Sequence, residues 1–267
     1  MECKNKKTAL ITGACGGLGG SFVEVLAERG YALFLVGRSE EKLQKKAQEI
    51  QEKFPQTTID IFVLDLTNEG GRYAMNEEIR AKNLKISLLV NAAGVDIQKT
   101  FSSYSQEKIS MQCRVNFEAA VSLCAYAIEN RAEELEIINV SSVSGIYPMP
   151  YFAIYSATKG ALTSFSASLR EEMKGKGVRV TAVLPGAMPT RLDIQEQIKG
   201  QGLWGKLAAK DPKWVAERAL KAVSKNKRIL IPGFWNKAMR VSTAWLPTSW
   251  RLRFIAKRWS KISKDAF

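Results

Sequence analysis

Seven short apolar runs, TALIT, ALFLV, IDIFVL, SLLVN, EIINVS, RVTAVL and RILIP, recur along this chain of 267 residues, separated by segments of helical periodicity. Runs this continuous suit strands covered on both faces, because a half-exposed strand alternates apolar with polar side chains. Strand then helix, repeated, is the doubly wound α/β pattern: a seven-stranded parallel sheet with helices on both faces and ligands at the carboxyl ends of the strands. The length suits one such domain, predicted over residues 1–232, followed by an extension over 233–267.

Between the runs, GGSFVEVLAERG carries Phe22, Val23, Val25 and Leu26 as a helical stripe and closes on Gly30, suited to a C-cap. SEEKLQKKAQEIQEKF opens on Ser39 as an N-cap and ends before Pro55. NFEAAVSLCAYAIENRA is apolar over much of its circumference, which predicts a buried or interface helix, and ATKGALTSFSASLREEMKGKG reads as one long helix. Beyond about residue 186 the rhythm breaks. Glycines at 200, 202 and 205 among Met188, Leu192, Ile198, Leu203 and Trp204 predict a cover over a pocket, spanning 187–210.

The chain contains no histidine. A Ser-His-Asp triad, a Cys-His dyad and any His-containing metal site are therefore excluded; no metal is expected, and acid/base work falls to Tyr, Lys, Asp, Glu or Cys. Cys3, Cys15, Cys113 and Cys124 show no C-x-x-C spacing and follow no signal-peptide pattern, which predicts a reducing cytoplasm. No stretch has the roughly 18 to 20 uncharged apolar residues of a membrane span. The net charge of +14 is uneven: residues 1–212 carry 26 basic and 24 acidic side chains, residues 213–267 carry 14 and 2. With no helix-turn-helix or zinc pattern in that tail, a nucleic-acid partner is not expected.

TGACGGLGGSF follows the first strand and leads into a helix. Gly13, Gly17 and Gly19 allow a tight turn and close backbone approach, and the helix start offers N–H groups and a positive dipole end to a pyrophosphate. Further on come LDL with Asp65, NAAG at 91–94, RVNFEAA with Asn116, NVSSVSG with Ser142, YSATK with Tyr155 and Lys159, and PGAMPT at 185–190. In kind and order, from Thr12 to about Thr190, these motifs resemble the short-chain dehydrogenase/reductase family. The resemblance implies a Rossmann-type fold and a nicotinamide dinucleotide held by Gly13, Cys15, Gly16, Gly17, Leu18 and Gly19. It also implies cofactor contacts at Asp65, Leu66, Asn91, Ala92, Ala93, Gly94, Tyr155, Lys159, Pro185, Gly186, Met188 and Thr190. Ala92 stands where the family has a second asparagine that steadies the central strands, and Gly16 where NADP-preferring relatives often carry Arg or Lys. Gly37 and Arg38 close the second strand with no acid until Glu40, which favours NADP(H) over NAD(H).

The YSATK pair lies one helical turn apart, so Tyr155 and Lys159 can serve one small volume. Free tyrosine, with a pKa of about 10, is a reluctant acid, and a neighbouring ammonium favours its anion. By resemblance Tyr155 is the proton donor and acceptor, Lys159 also holds the nicotinamide ribose, and Asn116 holds a water for proton resupply. Ser142, 13 residues before Tyr155, steadies the carbonyl oxygen, and only that spacing favours it over Ser141. The implied reaction interconverts a ketone and a secondary alcohol; the alternative is a non-catalytic NADP(H)-binding regulator on the same fold. Tyr147, Met149, Phe152, Met188, Leu192 and Trp204 form a mostly apolar pocket set, which suits a steroid-like or 3-oxoacyl substrate better than a sugar. Helices over 106–131 and 154–174 suggest a homodimer or homotetramer by the same resemblance. In the tail, Trp250, Phe254, Ile255, Trp259 and Ile262 repeat at helical spacing among Arg and Lys. Such a stripe packs on the domain or a second subunit, or lies at an anionic membrane surface.

Overall fold

A computed structural model describes residues 6–189 and 209–260. Its sheet comprises β1 (Thr8–Thr12), β2 (Ala32–Gly37), β3 (Ile59–Val63), β4 (Ile86–Asn91), β5 (Arg131–Val140), β6 (Val178–Val183) and β7 (Ile229–Leu230). The strands lie in the order β3-β2-β1-β4-β5-β6-β7, every pair parallel. Chain order reverses between β1 and β4, which opens a crevice at their carboxyl ends.

Helices α1 (Gly17–Glu28), α2 (Glu40–Lys53), α3 (Glu69–Ala81), α4 (Gln106–Cys113), α5 (Ala119–Glu129), α6 (Ala153–Glu172) and α7 (Pro212–Ser224) cover the two faces. The period-two alternation of the strands divides the core. Ala9, Ile11, Leu33 and Leu35 pack with Phe22 and Leu26 of α1 and Val215 and Val223 of α7. Leu10, Phe34 and Val36 face the other way, onto Met75 and Ile79 of α3 and Leu123 of α5.

Local chemistry sets the element ends. The Ser39 hydroxyl accepts a hydrogen bond from Lys42 N–H and caps α2. Gly30 turns the chain after α1 with φ of +77°, and its N–H bonds the Ala27 carbonyl. Three details go beyond the sequence reading. RILIP forms only a two-residue edge strand. Within the expected 106–131 span, α4 passes into α5 through a π-helical turn, Arg114–Glu118, which carries Asn116. In the tail a separate helix, α8 (Phe234–Ala244), precedes α9 (Thr248–Trp259), which carries the described part of the expected stripe. Its apolar residues divide between faces: Ile255 and Trp259 are half-buried while Trp250 and Phe254 point outward.

Candidate active site

Most of the motifs singled out in the described residues lie at the carboxyl ends of strands, while Asn116 sits on the π-helical turn between α4 and α5 and Tyr155 and Lys159 lie on α6. The glycine loop follows β1, Arg38 follows β2, Asp65 follows β3, Asn91–Gly94 close β4, Ser142 follows β5 and Pro185–Met188 follow β6. Thr190, Leu192 and Trp204, and with them most of the expected cover, lie outside the described residues.

The glycine loop is built for close backbone approach. Gly13 holds φ of +66°, and a Cβ there would stand 2.9 Å from Ala93 N. A Cβ on Gly19 would stand 2.0 Å from the Gly13 carbonyl oxygen, so no side chain fits. Cys15, Gly16 and Gly17 are exposed at the start of α1, while Leu18 is buried and anchors that end in the core. Exposed N–H groups at a helix start, with no Cβ in the way, fit an anion such as a dinucleotide pyrophosphate. Burial pushes the Cys15 thiol up, against the positive charge of Lys46 and Lys42 on α2. Arg38 is exposed beyond Gly37. The Asp65 carboxyl is held below its ordinary range, first by the Thr67 N–H at 2.9 Å, with the Thr67 hydroxyl and the charge of Arg38 adding to it. Leu66 is buried, and its carbonyl accepts from the buried Arg72, which also pairs with Glu118.

Lys159 is a buried charge. Its side chain is 4% exposed, and its Nζ donates to the Val140 carbonyl at 2.8 Å. Burial lowers its pKa from 10.5 to about 8, with Asp96 acting the other way. The Nζ stands 5.9 Å from the centre of the Tyr155 ring, one turn back on α6. A Cβ on Gly94 would come within 3.2 Å of Lys159 Nζ and 3.4 Å of Asn116 Oδ1, so the end of β4 lies directly against both.

The two neighbouring serines separate. Ser141 is tied to α6, its hydroxyl donating to the Lys159 carbonyl at 2.7 Å. Ser142 accepts from Ser144 N–H at 3.1 Å, and its own O–H remains a donor. The Asn116 amide is engaged with the loop after β4, accepting from Val95 N–H at 2.7 Å and donating to the Val95 carbonyl at 2.8 Å and to Thr158 Oγ1 at 3.2 Å. That makes it a brace for the loop.

The remaining expected residues divide similarly. The Asn91 side chain turns into the protein, donating to Asn139 Oδ1 at 2.8 Å and to the Ala120 carbonyl at 3.2 Å. Asn139 in turn donates to Ser166 Oγ at 2.9 Å, so this buried chain ties the central strands to α5 and α6 and does the steadying that Ala92 cannot. Ala93 N–H donates to Thr12 Oγ1 at 3.2 Å, joining the ends of β4 and β1. The Pro185 carbonyl accepts from Val143 N–H, Gly186 lies against the Asn236 side chain of α8, and Met188 packs on the core. Met149 N–H donates to Ser156 Oγ. Phe152 lies 5.9 Å from the Tyr155 ring, and Tyr147 reaches α8 through a hydrogen bond from its hydroxyl to the Arg240 carbonyl at 3.1 Å.

Residues 7–199 match the family model described as short chain dehydrogenase. The chain belongs to that family. A very-long-chain 3-oxoacyl-CoA reductase of Bos taurus is 36% identical over 69% of this chain, the match spanning 60% of that relative's own length. Among solved structures, a bulky-bulky ketone specific alcohol dehydrogenase from Comamonas testosteroni superposes with a TM-score of 0.75 at 27% identity, over 91% of this chain and all of that one. A short-chain dehydrogenase from Sphingobium yanoikuyae in complex with NADPH gives 0.77 at 26% identity, over 98% of this chain and 97% of that one. This short-chain dehydrogenase site also contains residues that motif reading passes over. A Cβ on Gly145 would stand 2.7 Å from the Lys159 carbonyl carbon, so this glycine seats α6 at its lysine. Tyr151, just before α6, holds φ of +67°, a conformation disfavoured for a bulky residue. Among the described residues no group of acidic and cysteine side chains could hold a metal ion.

Proposed function

We propose that the protein is an NADP(H)-dependent oxidoreductase interconverting a ketone and a secondary alcohol on a bulky apolar substrate, steroid-like or 3-oxoacyl in character. The observation that carries this reading is the buried Lys159, whose Nζ bonds the Val140 carbonyl at the end of β5 and stands 5.9 Å from the Tyr155 ring, with the turn that follows Ser142 packed on the same helix. The dinucleotide, when bound, supplies or accepts the hydride. In reduction, Tyr155 gives its hydroxyl proton to the carbonyl oxygen as negative charge develops there, and the Lys159 ammonium stabilises the phenolate left behind. Ser142 donates to the same oxygen. Asn116 braces the loop after β4 against the lysine, beside which water resupplies the proton.

Arg38, exposed where β2 ends on Gly37 with no acid until Glu40, favours a 2′-phosphate, and the NADPH complex of the Sphingobium relative supports that choice. Tyr147, Met149, Phe152 and Met188 favour a large apolar group on the substrate, in line with the relatives named for bulky ketones and 3-oxoacyl-CoA. We read residues 1–232 as the catalytic domain and 233–267 as an extension, in a cytoplasmic protein that forms a homodimer or homotetramer. NADPH oxidation measured across ketosteroids, 3-oxoacyl thioesters and small ketones tests the assignment. Turnover of the bulky ketones, abolished by Tyr155→Phe with NADPH binding retained, is expected; a flat response across the panel overturns it.

A further inference from the structure

Helices α8 and α9 meet at an elbow, and their two sides differ. One side is docked. The Trp259 ring packs edge-on against Phe152 at 5.0 Å, and Phe152 in turn packs on Tyr155. The Arg251 guanidinium lies over the Tyr147 ring at 5.2 Å, and the buried Asn236 amide donates to the Pro232 carbonyl at 2.9 Å. Away from those contacts large apolar side chains stand in the open: Trp245 is 88% exposed, Phe254 68% and Trp250 65%, and Val241 and Leu246 are exposed too.

Charge narrows the occupant of that surface. Between Glu217 and Asp265 the chain has no acidic residue, while Lys237 on α8 and Arg253 and Lys257 on α9 are exposed. A second copy meeting this face through a two-fold axis would bring the same positive charge against itself. Tryptophans flanked by cations suit the headgroup zone of an anionic bilayer, where the rings bury their apolar bodies and the cations meet lipid phosphates. Among the described residues no helix is long and apolar enough to cross a membrane, so attachment would be peripheral.

We infer that α8 and α9 dock the protein on an anionic lipid surface, and that this dock doubles as a wall of the substrate pocket, so that an apolar ketone enters from the bilayer. The docking stands on the exposed face alone; the entry route rests on the reductase reading. Both use the full chain. Co-sedimentation with phosphatidylcholine vesicles, with or without phosphatidylglycerol and without substrate, should show binding that needs the anionic lipid and weakens with salt. Trp245→Ser and Trp250→Ser should each weaken it about tenfold. Equal binding to both vesicles, unchanged binding in both variants, or an assembly that splits into smaller species in Trp245→Ser overturns the docking. An enzyme that reduces ketones yet ignores vesicles sinks the dock alone, and one that binds vesicles but reduces nothing sinks the reductase reading alone. For the entry route, an apolar ketone dissolved in anionic vesicles should be reduced faster by the native chain than by Trp245→Ser, with equal rates on a water-soluble ketone. Equal rates on both overturn it.

Discussion

Replacing Lys159 by methionine should change stability little near neutral pH, lower it relative to the native chain progressively as pH rises, and abolish turnover. The buried ammonium has a folded-state pKa of about 8 against an ordinary 10.5. Below pH 8 the lysine is charged in both the folded and unfolded states, and the folded state bears the whole cost of desolvating it, about 3 kcal/mol at pH 7. Between pH 8 and 10.5 the unfolded chain binds more protons than the folded one, so native stability rises with pH; above 10.5 the penalty is gone. Methionine fills a similar volume and carries no charge, but it leaves the Val140 carbonyl without the lysine's hydrogen bond, at a cost of about 1–3 kcal/mol. That loss is nearly independent of pH. The net change at pH 7 is therefore small, and the diagnostic quantity is the slope. Urea unfolding of the two proteins without cofactor should show the variant's relative stability falling by about 2.5 kcal/mol between pH 7 and pH 10. A difference that stays flat across that range would refute the claim that Lys159 is held as a desolvated cation.

Gly145→Ala forces a Cβ to within 2.7–2.8 Å of the Lys159 and Gly160 backbone, where only a shift of α6 can relieve it. A loss of about 1–3 kcal/mol is expected, seen as a fall of several degrees in Tm, together with reduced kcat because the helix bearing Tyr155 and Lys159 moves. An unchanged Tm would mean that the η-turn of Val143–Gly145 yields instead. Arg38→Ala should weaken NADPH binding by about ten- to a hundredfold and leave NADH binding little altered, since a charge-assisted contact to the extra phosphate contributes roughly 1.5–3 kcal/mol. Fluorescence titration with both cofactors reads this directly, and equal losses for the two would remove Arg38 from the phosphate.

The parts of the fold that local chemistry dictates are legible in the chain. Continuous apolar runs mark buried parallel strands, Ser39 caps α2, and Gly30 ends α1 because a positive φ is needed there. The site is legible for a similar reason: a parallel sheet brings all its strand ends to one edge, so motifs hundreds of atoms apart in the chain become neighbours once the strands are recognised. What sequence alone leaves unread depends on contacts between distant segments. The side chain of Asn91 sits in a cofactor motif yet bonds Asn139, 48 residues away, and nothing local distinguishes that use from a ligand contact. Ser141 and Ser142 differ in the sequence only by the 13-residue spacing of Ser142 to Tyr155, and the reach of Ser141 to the Lys159 carbonyl gives the physical separation. The π-helical turn at Arg114–Glu118 adds a residue to the turn that carries Asn116, and a 3.6-residue pattern contains no sign of it.

The tail shows the same limit most clearly, because its helical spacing was compatible with packing on the protein and with lying on a membrane. Periodicity identifies an apolar stripe but not what meets it. In the fold the stripe is split by geometry: Trp259, three turns along α9, meets Phe152, while Trp250 and Phe254, four residues apart, share the opposite side. One helix therefore has two apolar partners to satisfy, and the protein supplies only one of them. Because the satisfied side touches Phe152, which in turn packs on Tyr155, whatever occupies the exposed side acts on an element one aromatic contact away from that tyrosine.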